Sequence, residues 1–236
     1  MLGIVTAGLI VAFGALVQGT VGFGMSLVAA PLLALVDPEY VPVPLLVLAL
    51  AHALLTLARE PGATDWRGVR WALLGRLPGT VLGALAVAAL PYRGFATLIA
   101  VLVLACCAAS LATLPYRPTS RALVTAGVFS GVSGTAAAIG GPPVALLYQR
   151  HPGPAVRGTL GAYFALGALM SFAALGIGGQ LDDGLARGLA LIPWMAAGFL
   201  ASGPVRHLLD RGWTRPAVLG ISATSALVLL VQAQFT

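Results

Sequence analysis

Apolar segments of membrane-spanning length dominate this chain. A helix that crosses a bilayer needs about 20 apolar residues, and six uninterrupted segments approach that length, at roughly 41–58, 70–90, 95–114, 158–179, 186–205 and 215–235. Only 8% of the residues are charged, whereas a soluble domain carries about 25%. The sequence therefore predicts an all-α polytopic membrane protein with short loops and no large soluble domain.

The net charge of +6 comes from arginine alone, because the chain contains no lysine. These arginines lie in short loops between the apolar segments, which is the ordinary pattern of membrane topology. We therefore expect the lipid bilayer, and no nucleic acid, among the partners. The N-terminus lacks the basic region of a signal peptide, so we expect it to be retained.

Two further apolar segments, 1–36 and 121–149, are interrupted by glycine and proline. A shift of 112 residues aligns the helix-breaking glycines and prolines of the two segments. It pairs Gly19 with Gly131, Gly22 with Gly134 and Pro31 with Pro143. Each half of the chain thus contains one interrupted segment followed by three ordinary spans. This order predicts an internal duplication.

The duplication predicts two repeats. The first covers 1–114 and contains the interrupted segment 1–36 and the spans 41–58, 70–90 and 95–114. The second covers 121–236 and contains the interrupted segment 121–149 and the spans 158–179, 186–205 and 215–235.

The arginine distribution indicates how the interrupted segments lie. If 121–149 crosses the membrane once, the arginines divide 7 to 6 between the two sides; if it enters and leaves on one side, they divide 11 to 2. The second division follows the positive-inside rule. We therefore expect two re-entrant hairpins, two inverted repeats and both termini outside, an architecture typical of transporters. One discontinuous full-span helix per repeat is the alternative.

Glycine breaks at mid-depth predict an anion site. The breaks at Gly19–Gly24 and Gly131–Gly134 would release backbone N–H groups. The helices that restart around Met25–Ser26 and Thr135–Ala138 would present positive dipole ends, which together can hold an anion. Such backbone is tolerated in a bilayer only where protein buries it or where it lines a cavity. Close helix packing is the alternative explanation for the small residues.

Ionisable or polar side chains within or beside the spans add further candidates. His52 lies in mid-span, where it could carry a proton or bind an anion; a neutral histidine bonded to a carbonyl is the alternative. Arg76, about six residues into its predicted span, is interpreted as snorkelling to the interface, with anion entry as the alternative. Arg157 begins a span, where a topology charge is the alternative to a functional role. Tyr163 lies deeper in the same span and is interpreted as a packing residue, with ligand binding as the alternative.

The sequence argues against enzymes. Ser133 lies in Gly-Val-Ser-Gly, which resembles the setting of an intramembrane serine nucleophile, but no histidine lies inside a later span to act as its base. All seven acidic residues lie in or next to loops, so no buried carboxylate offers acid–base chemistry. The three scattered histidines form no metal cluster. We expect no catalytic residue, no cofactor and no metal.

Three motifs carry a family resemblance: GTVGFGMSLVAAPLLALVDP at 19–38, PGTVLGAL at 78–85 and SGVSGTAAAIGGPPVALLYQRHPGPAVRGTLGAYFALGALMS at 130–171. Together they resemble the TauE/SafE family of sulfite and organosulfonate transporters, over nearly the whole chain. Many members have a run of glycines where this chain has Met25 and Ser26, and Ala136 and Ala137. The resemblance implies a carrier of a small sulfur-containing anion in a bacterial-type inner membrane.

We therefore expect a secondary transporter that works by alternating access around a midplane site, with a coupling proton or ion as a further candidate partner. An anion channel with the same polar midplane is the alternative, and a purely structural subunit is the third hypothesis. Pro31 and Pro143 are predicted structural helix breaks. The candidate substrate-binding residues are Gln18, Thr20, Gly22, Gly24, Ser26, His52, Ser130, Ser133, Gly134, Thr135, Gly140, Gly141, Arg157 and Tyr163.

Overall fold

The computed structural model describes residues 2–60, 62, 64–111, 118–181, 183–209 and 214–235, excluding the side chains of residues 2, 205–209 and 214–217. Within these ranges the chain forms ten α-helices and one short 3-10 helix, Pro38–Tyr40, and no strand. The all-α prediction is confirmed. The helices are α1 Leu2–Val21, α2 Met25–Val36, α3 Val43–Arg59, α4 Trp66–Ala89, α5 Tyr92–Leu111, α6 Ser120–Ala137, α7 Gly141–Tyr148, α8 Gly153–Ile177, α9 Gly184–Leu209 and α10 Thr214–Phe235.

Seven of the described helices are long and apolar enough to cross a membrane, namely α1, α3, α4, α5, α8, α9 and α10. The polytopic prediction is therefore confirmed. The helix order has the same form twice, because a broken pair is followed by three long helices in α1–α5 and again in α6–α10.

The packing between the halves is reciprocal. Helix α1 packs on α9, and its counterpart α6 packs on α4, which is the counterpart of α9. The equivalent helices α3 and α8 pack on each other, as do α5 and α10. The main helix contacts between the halves thus have partners related by exchanging the halves, as a pseudo-two-fold arrangement requires.

Equivalent helices of the two halves run in opposite directions. Glu60, just after α3, pairs with Arg157 near the start of α8, whereas Ala53, earlier in α3, contacts Gly161, later in α8. Likewise, Arg93 at the start of α5 contacts Gln234 at the end of α10. Cys107 near the end of α5 contacts Leu219 near the start of α10. These antiparallel pairs support our proposal of two inverted repeats, since parallel repeats would place α3 and α8 in the same direction.

A seam of glycines brings α4 and α6 into close contact. A Cβ atom at Gly75 or Gly79 of α4 would collide with the backbone carbonyl of Val124 or Val128 in α6. Small residues at such spacing let membrane helices approach each other closely. The seam therefore fixes the height of α6 beside α4.

The second predicted break is displaced. Helix α6 continues through Gly131 and Gly134 to Ala137, and the chain breaks at Ala138–Gly140. Gly131 lies against the backbone of α4, and Gly134 lies against the guanidinium of Arg76. These two glycines therefore serve close approach, which was the alternative reading, and do not end the helix.

The first break lies at Gly22–Gly24, where both glycines have positive φ angles of 98° and 120°. Gly19 lies inside α1 and packs on Ser202 of α9. Helix α2 begins at Met25, as expected. The two breaks therefore occupy the ends of α1 and α6.

Pro31 is not a helix break, because α2 continues through it to Val36. A proline removes one backbone donor but has a φ angle compatible with a helix, and the neighbouring turns maintain α2. Pro143, in contrast, lies in the first turn of α7, where backbone N–H groups have no helical partner in any case.

The first helix of each broken pair, α1 or α6, is longer than a helix that ends at the mid-depth break predicted from the sequence. Helix α1 has 20 residues and α6 has 18, which correspond to about 30 and 27 Å. The chain then folds back. Met25 packs beside Gly14, and the carbonyl of Gly140 is bonded by Ser130, so each short helix begins about two turns back along the preceding one.

Candidate functional site

The first break is held by the side-chain amide of Gln18. Its Oε1 accepts a hydrogen bond from the backbone N–H of Met25 at 3.0 Å, and its Nε2 donates to His52 Nδ1 at 3.1 Å. One amide thus satisfies the first N–H of α2 and ties α1 to α3. The N–H groups that follow in the first turn of α2 have no helical carbonyl to bond.

Both ring nitrogens of His52 have partners. Nε2 lies 3.1 Å from the carbonyl of Ala15, and because a carbonyl only accepts, Nε2 carries the proton. Nδ1 accepts from Gln18, because Gln18 Oε1 already faces an N–H group. His52 is therefore the neutral, carbonyl-bonded histidine that the sequence left as an alternative.

The second break is held by two serines of α6. Ser130 Oγ donates to the carbonyl of Gly140 at 2.6 Å, and Ser133 Oγ lies 2.8 Å from the carbonyl of Ile139. Ala138 adopts the left-handed conformation with φ 57°, which turns the chain back toward α6. The hydroxyls replace the bonds that the carbonyls of the break cannot make within a helix.

Arg76 of α4 reaches the second break from the side. The residue is only 3% exposed. Its Nη1 donates to Ser130 Oγ and its Nη2 to Ser171 Oγ, both at 3.3 Å, and its guanidinium lies 5.3 Å from the ring centre of Tyr163. A full positive charge therefore lies inside the helical bundle among neutral groups.

A small cavity of about 30 Å³ lies between the two breaks. Both breaks contribute to its wall, together with Arg76 of α4, Phe164 and Ala168 of α8, and Leu46 and Ala49 of α3. Residues from the breaks and their flanks complete the lining, namely Gln18, Gly24, Ser26, Leu27, Gly134, Ala138, Ile139, Gly140, Gly141 and Pro142. The cavity thus combines two helix beginnings with one buried cation, which is the chemistry of an anion site.

The chain matches a protein-family model. The sulfite exporter TauE/SafE model matches residues 7–229 of the 236. The chain belongs to the TauE/SafE family. This family consists of membrane transporters and not of enzymes, so the resemblance and the non-enzymatic prediction are both confirmed. No match was found among curated proteins or among solved structures.

The cavity of this TauE/SafE member collects fewer than half of the predicted site residues. The predicted residues on its wall are Gln18, Gly24, Ser26, Gly134, Gly140 and Gly141. A second group lies behind the wall and supports it through the hydrogen bonds of His52, Ser130, Ser133, Thr135 and Tyr163. These residues therefore hold the wall of the cavity in place and do not line it.

Three predicted residues lie away from the cavity. Thr20 bonds the carbonyl of Val17 at 2.7 Å. Arg157 forms an ion pair with Glu60, with Nη2 and Oε1 at 2.7 Å, and Gly22 packs against the same arginine. Arg157 therefore links α3 and α8 beside the first break.

Arg76 is the wall residue that the sequence interpretation missed. The predicted span began at residue 70, which placed Arg76 near the interface, but α4 begins at Trp66. Arg76 is thus ten residues beyond the start of its helix, or about 15 Å along it. The snorkelling interpretation is wrong, because the side chain reaches its partners inside the bundle. An arginine within a span was the signal that could have identified it.

Proposed function

We propose that this TauE/SafE member is a secondary transporter that carries a small sulfur-containing anion through the cavity between the two breaks. The observation that supports the proposal most directly is the meeting of α2, α7 and Arg76 at one cavity. Family membership supports the choice of a sulfur oxyanion or organosulfonate. The anion is the cargo, and its oxygens are the expected acceptors.

The donors around the cavity suit an oxyanion. The first turn of α2 offers the backbone N–H groups of Ser26 and Leu27, and the start of α7 offers that of Gly141, because Pro142 and Pro143 have none. Arg76 adds planar guanidinium N–H groups. Leu46, Ala49, Phe164 and Ala168 form an apolar wall beside these donors. An anion with a charged oxygen end and a small apolar substituent matches both surfaces.

Two ion pairs support an alternating-access mechanism. Glu60 and Arg157 join one end of the antiparallel α3–α8 pair, and Glu39 and Arg187 join elements near the other end. Breaking one pair while keeping the other would open the cavity to one side at a time. Inverted repeats supply the two matching conformations that this exchange requires.

A second cavity supports a path toward one side. It extends from Phe23 and Pro142 to Gln149 and His151 near the α7–α8 connection. Phe23 also packs on Gly141 at the wall of the central cavity. Phe23 therefore lies between the two cavities and is our candidate gate.

The experiment is a binding and flux assay on purified, reconstituted protein. Sulfite, methanesulfonate, isethionate, taurine and sulfate are tested for a concentration-dependent rise in melting temperature, and the binders are then tested for flux into liposomes. We expect saturable flux. Flux that rises without saturation would favour the anion channel, and the absence of any thermal shift or flux would refute the proposal.

A matched pair of variants tests the location. Ala168 faces the cavity and is buried, whereas Ala173 on the same helix is exposed. We expect Ala168→Leu to abolish the ligand-induced thermal shift and Ala173→Leu to preserve it. Equal shifts in both variants would place the binding site elsewhere.

A further inference from the structure

We infer that the central cavity selects singly charged anions over doubly charged ones, with Arg76 as the residue that sets this preference. The inference rests on the proposed function and specifies its substrate class as monoanions, such as hydrogensulfite or a simple sulfonate. It follows from how charge is distributed around the buried guanidinium.

The guanidinium of Arg76 is incompletely satisfied. Its contacts to Ser130 and Ser171 are long, at 3.3 Å each, and its Nε has no hydrogen-bond partner within the described part of the chain. Ser130 Oγ is shared with Tyr163 and with the carbonyl of Gly140. Because a buried cation without a counter-ion is costly, an anion in the cavity would supply what these hydroxyls do not.

No carboxylate among the described residues pairs with Arg76. Glu60 is paired with Arg157 and Glu39 with Arg187, and Asp65 accepts a hydrogen bond from Tyr148. The site therefore has one unbalanced positive charge.

The titratable side chains nearest the cavity add no second charge to its wall. Arg59 of α3 directs its guanidinium to Ser202 and Phe199 of α9 and does not line the cavity. Tyr163 of α8 uses its hydroxyl to donate to Ser130. His52 of α3 contacts Gln18 and Ala15 through its two nitrogens and is neutral in this arrangement.

One positive charge balances one negative charge. In an interior of low dielectric, a second negative charge on the bound anion would have no counter-charge. The free-energy cost of removing that charge from water would therefore not be offset. A helix start contributes a partial charge of about half a unit or less, carried by its free N–H groups. Both starts have fewer such groups here, because Gln18 bonds the N–H of Met25 and because Pro142 and Pro143 of α7 have none. A monoanion therefore leaves the loaded cavity near neutrality, which also favours its movement between the two sides of the membrane.

The chemistry of sulfite provides a direct test. Sulfite binds a proton near neutral pH and becomes the monoanion, whereas methanesulfonate remains a monoanion throughout. Dissociation constants of both are measured on the wild-type protein at several pH values from 6 to 9, and the readout is their ratio. Titration of a protein group affects both ligands and cancels in this ratio.

We expect the affinity for total sulfite, relative to methanesulfonate, to fall about tenfold per pH unit on the alkaline side. This is the slope expected when one protonation state binds. A ratio that does not change with pH, or that changes in favour of sulfite, would overturn the inference and leave the transport proposal intact. Failure of both ligands to bind at every pH would refute the transport proposal and the inference together.

Variants of Arg76 test its role in the preference. We expect Arg76→Gln to weaken methanesulfonate binding by about tenfold or more and to abolish the preference for monoanions over sulfate. Arg76→Lys keeps the charge, so we expect it to retain the preference with weaker binding. Arg70→Gln, at an exposed position of the same helix, is the control that should bind like wild type.

Unchanged preference in a folded Arg76→Gln protein would overturn the assignment to Arg76. If that variant does not fold, the comparison of Arg76→Lys with wild type decides, because loss of the preference in Arg76→Lys would show that positive charge at this position does not set it.

Discussion

A single glutamine determines much of the geometry around the first break. Gln18 is 7% exposed, and its two amide atoms have different tasks, since Oε1 bonds the start of α2 and Nε2 bonds His52. His52 in turn bonds the carbonyl of Ala15 on α1. Each bond fixes the orientation of the next group, so the chain of bonds behaves as one structural unit.

This arrangement predicts a structural effect at His52. We expect His52→Ala to lower the free energy of unfolding by about 2 kcal/mol or more, because it removes two buried hydrogen bonds and leaves a cavity. The change is measured as a lower melting temperature of the unliganded protein. His151→Ala, at an exposed histidine, should leave the melting temperature unchanged.

The same variant separates structure from transport chemistry. If His52 only supports the first break, anion flux in His52→Ala should keep the pH dependence of wild type once corrected for folded protein. A flux that loses its pH dependence would instead assign proton coupling to His52.

At the scale of helices, the α4–α6 seam positions the buried charge. The glycines of α4 face carbonyls of α6, and Gly134 of α6 lies against the guanidinium of Arg76. A side chain at these positions would separate the two helices. The height of Arg76 relative to the second break thus depends on residues with no side chain.

The seam yields a second prediction. We expect Gly79→Ala to destabilise the protein by about 1–3 kcal/mol, because the added methyl group would meet the carbonyl of Val128 and force the helices apart. Anion affinity should fall as well, since Arg76 would move from the second break. Both effects are measured by melting temperature with and without ligand.

Gly220→Ala is the matched control, because a Cβ atom at Gly220 meets nothing within 4 Å. It should alter neither stability nor affinity beyond the gain expected when alanine replaces glycine in a helix. Equal behaviour of the two variants would contradict a packing role for the seam.

At the scale of the whole molecule, the two ion pairs differ in environment. The side chains of Arg157 and Glu60 are 11% and 13% exposed, whereas those of Arg187 and Glu39 are 37% and 63% exposed. Breaking an exposed ion pair costs little, whereas breaking a shielded one leaves a poorly solvated charge without its partner and costs more. Each of the two ion pairs acts as a latch, that is, a contact that keeps one side of the cavity closed. We expect the Glu60–Arg157 latch to be the stronger of the two in this conformation.

The third prediction concerns this latch. In a protein with both native cysteines replaced by alanine, Ser26→Cys reports access to the cavity through its reaction with a membrane-impermeant thiol reagent. We expect Glu60→Gln to raise the labelling rate severalfold from the Glu60 side, and Glu39→Gln to have a smaller effect. The double variant Glu60→Arg with Arg157→Glu should restore slow labelling. An unchanged labelling rate in Glu60→Gln would contradict the proposal that the Glu60–Arg157 ion pair keeps this side closed.

Local sequence properties were enough to determine the class of the molecule. Hydropathy and segment length depend on the residues of each segment alone, because every segment must satisfy the same bilayer. The recurrence of the breakers and the family motifs was also visible in the printed residues. The prediction of an all-α transporter-family membrane protein therefore needed no tertiary information.

The tertiary structure decided how individual residues are used. A glycine inside an apolar helix can end it or admit a neighbour, and only the position of α4 shows that Gly131 and Gly134 do the second. An arginine within a span can reach the interface or turn inward, and only the serines of α6 and α8 show that Arg76 turns inward. In both cases the outcome depends on groups distant in sequence, whose contacts no local pattern encodes.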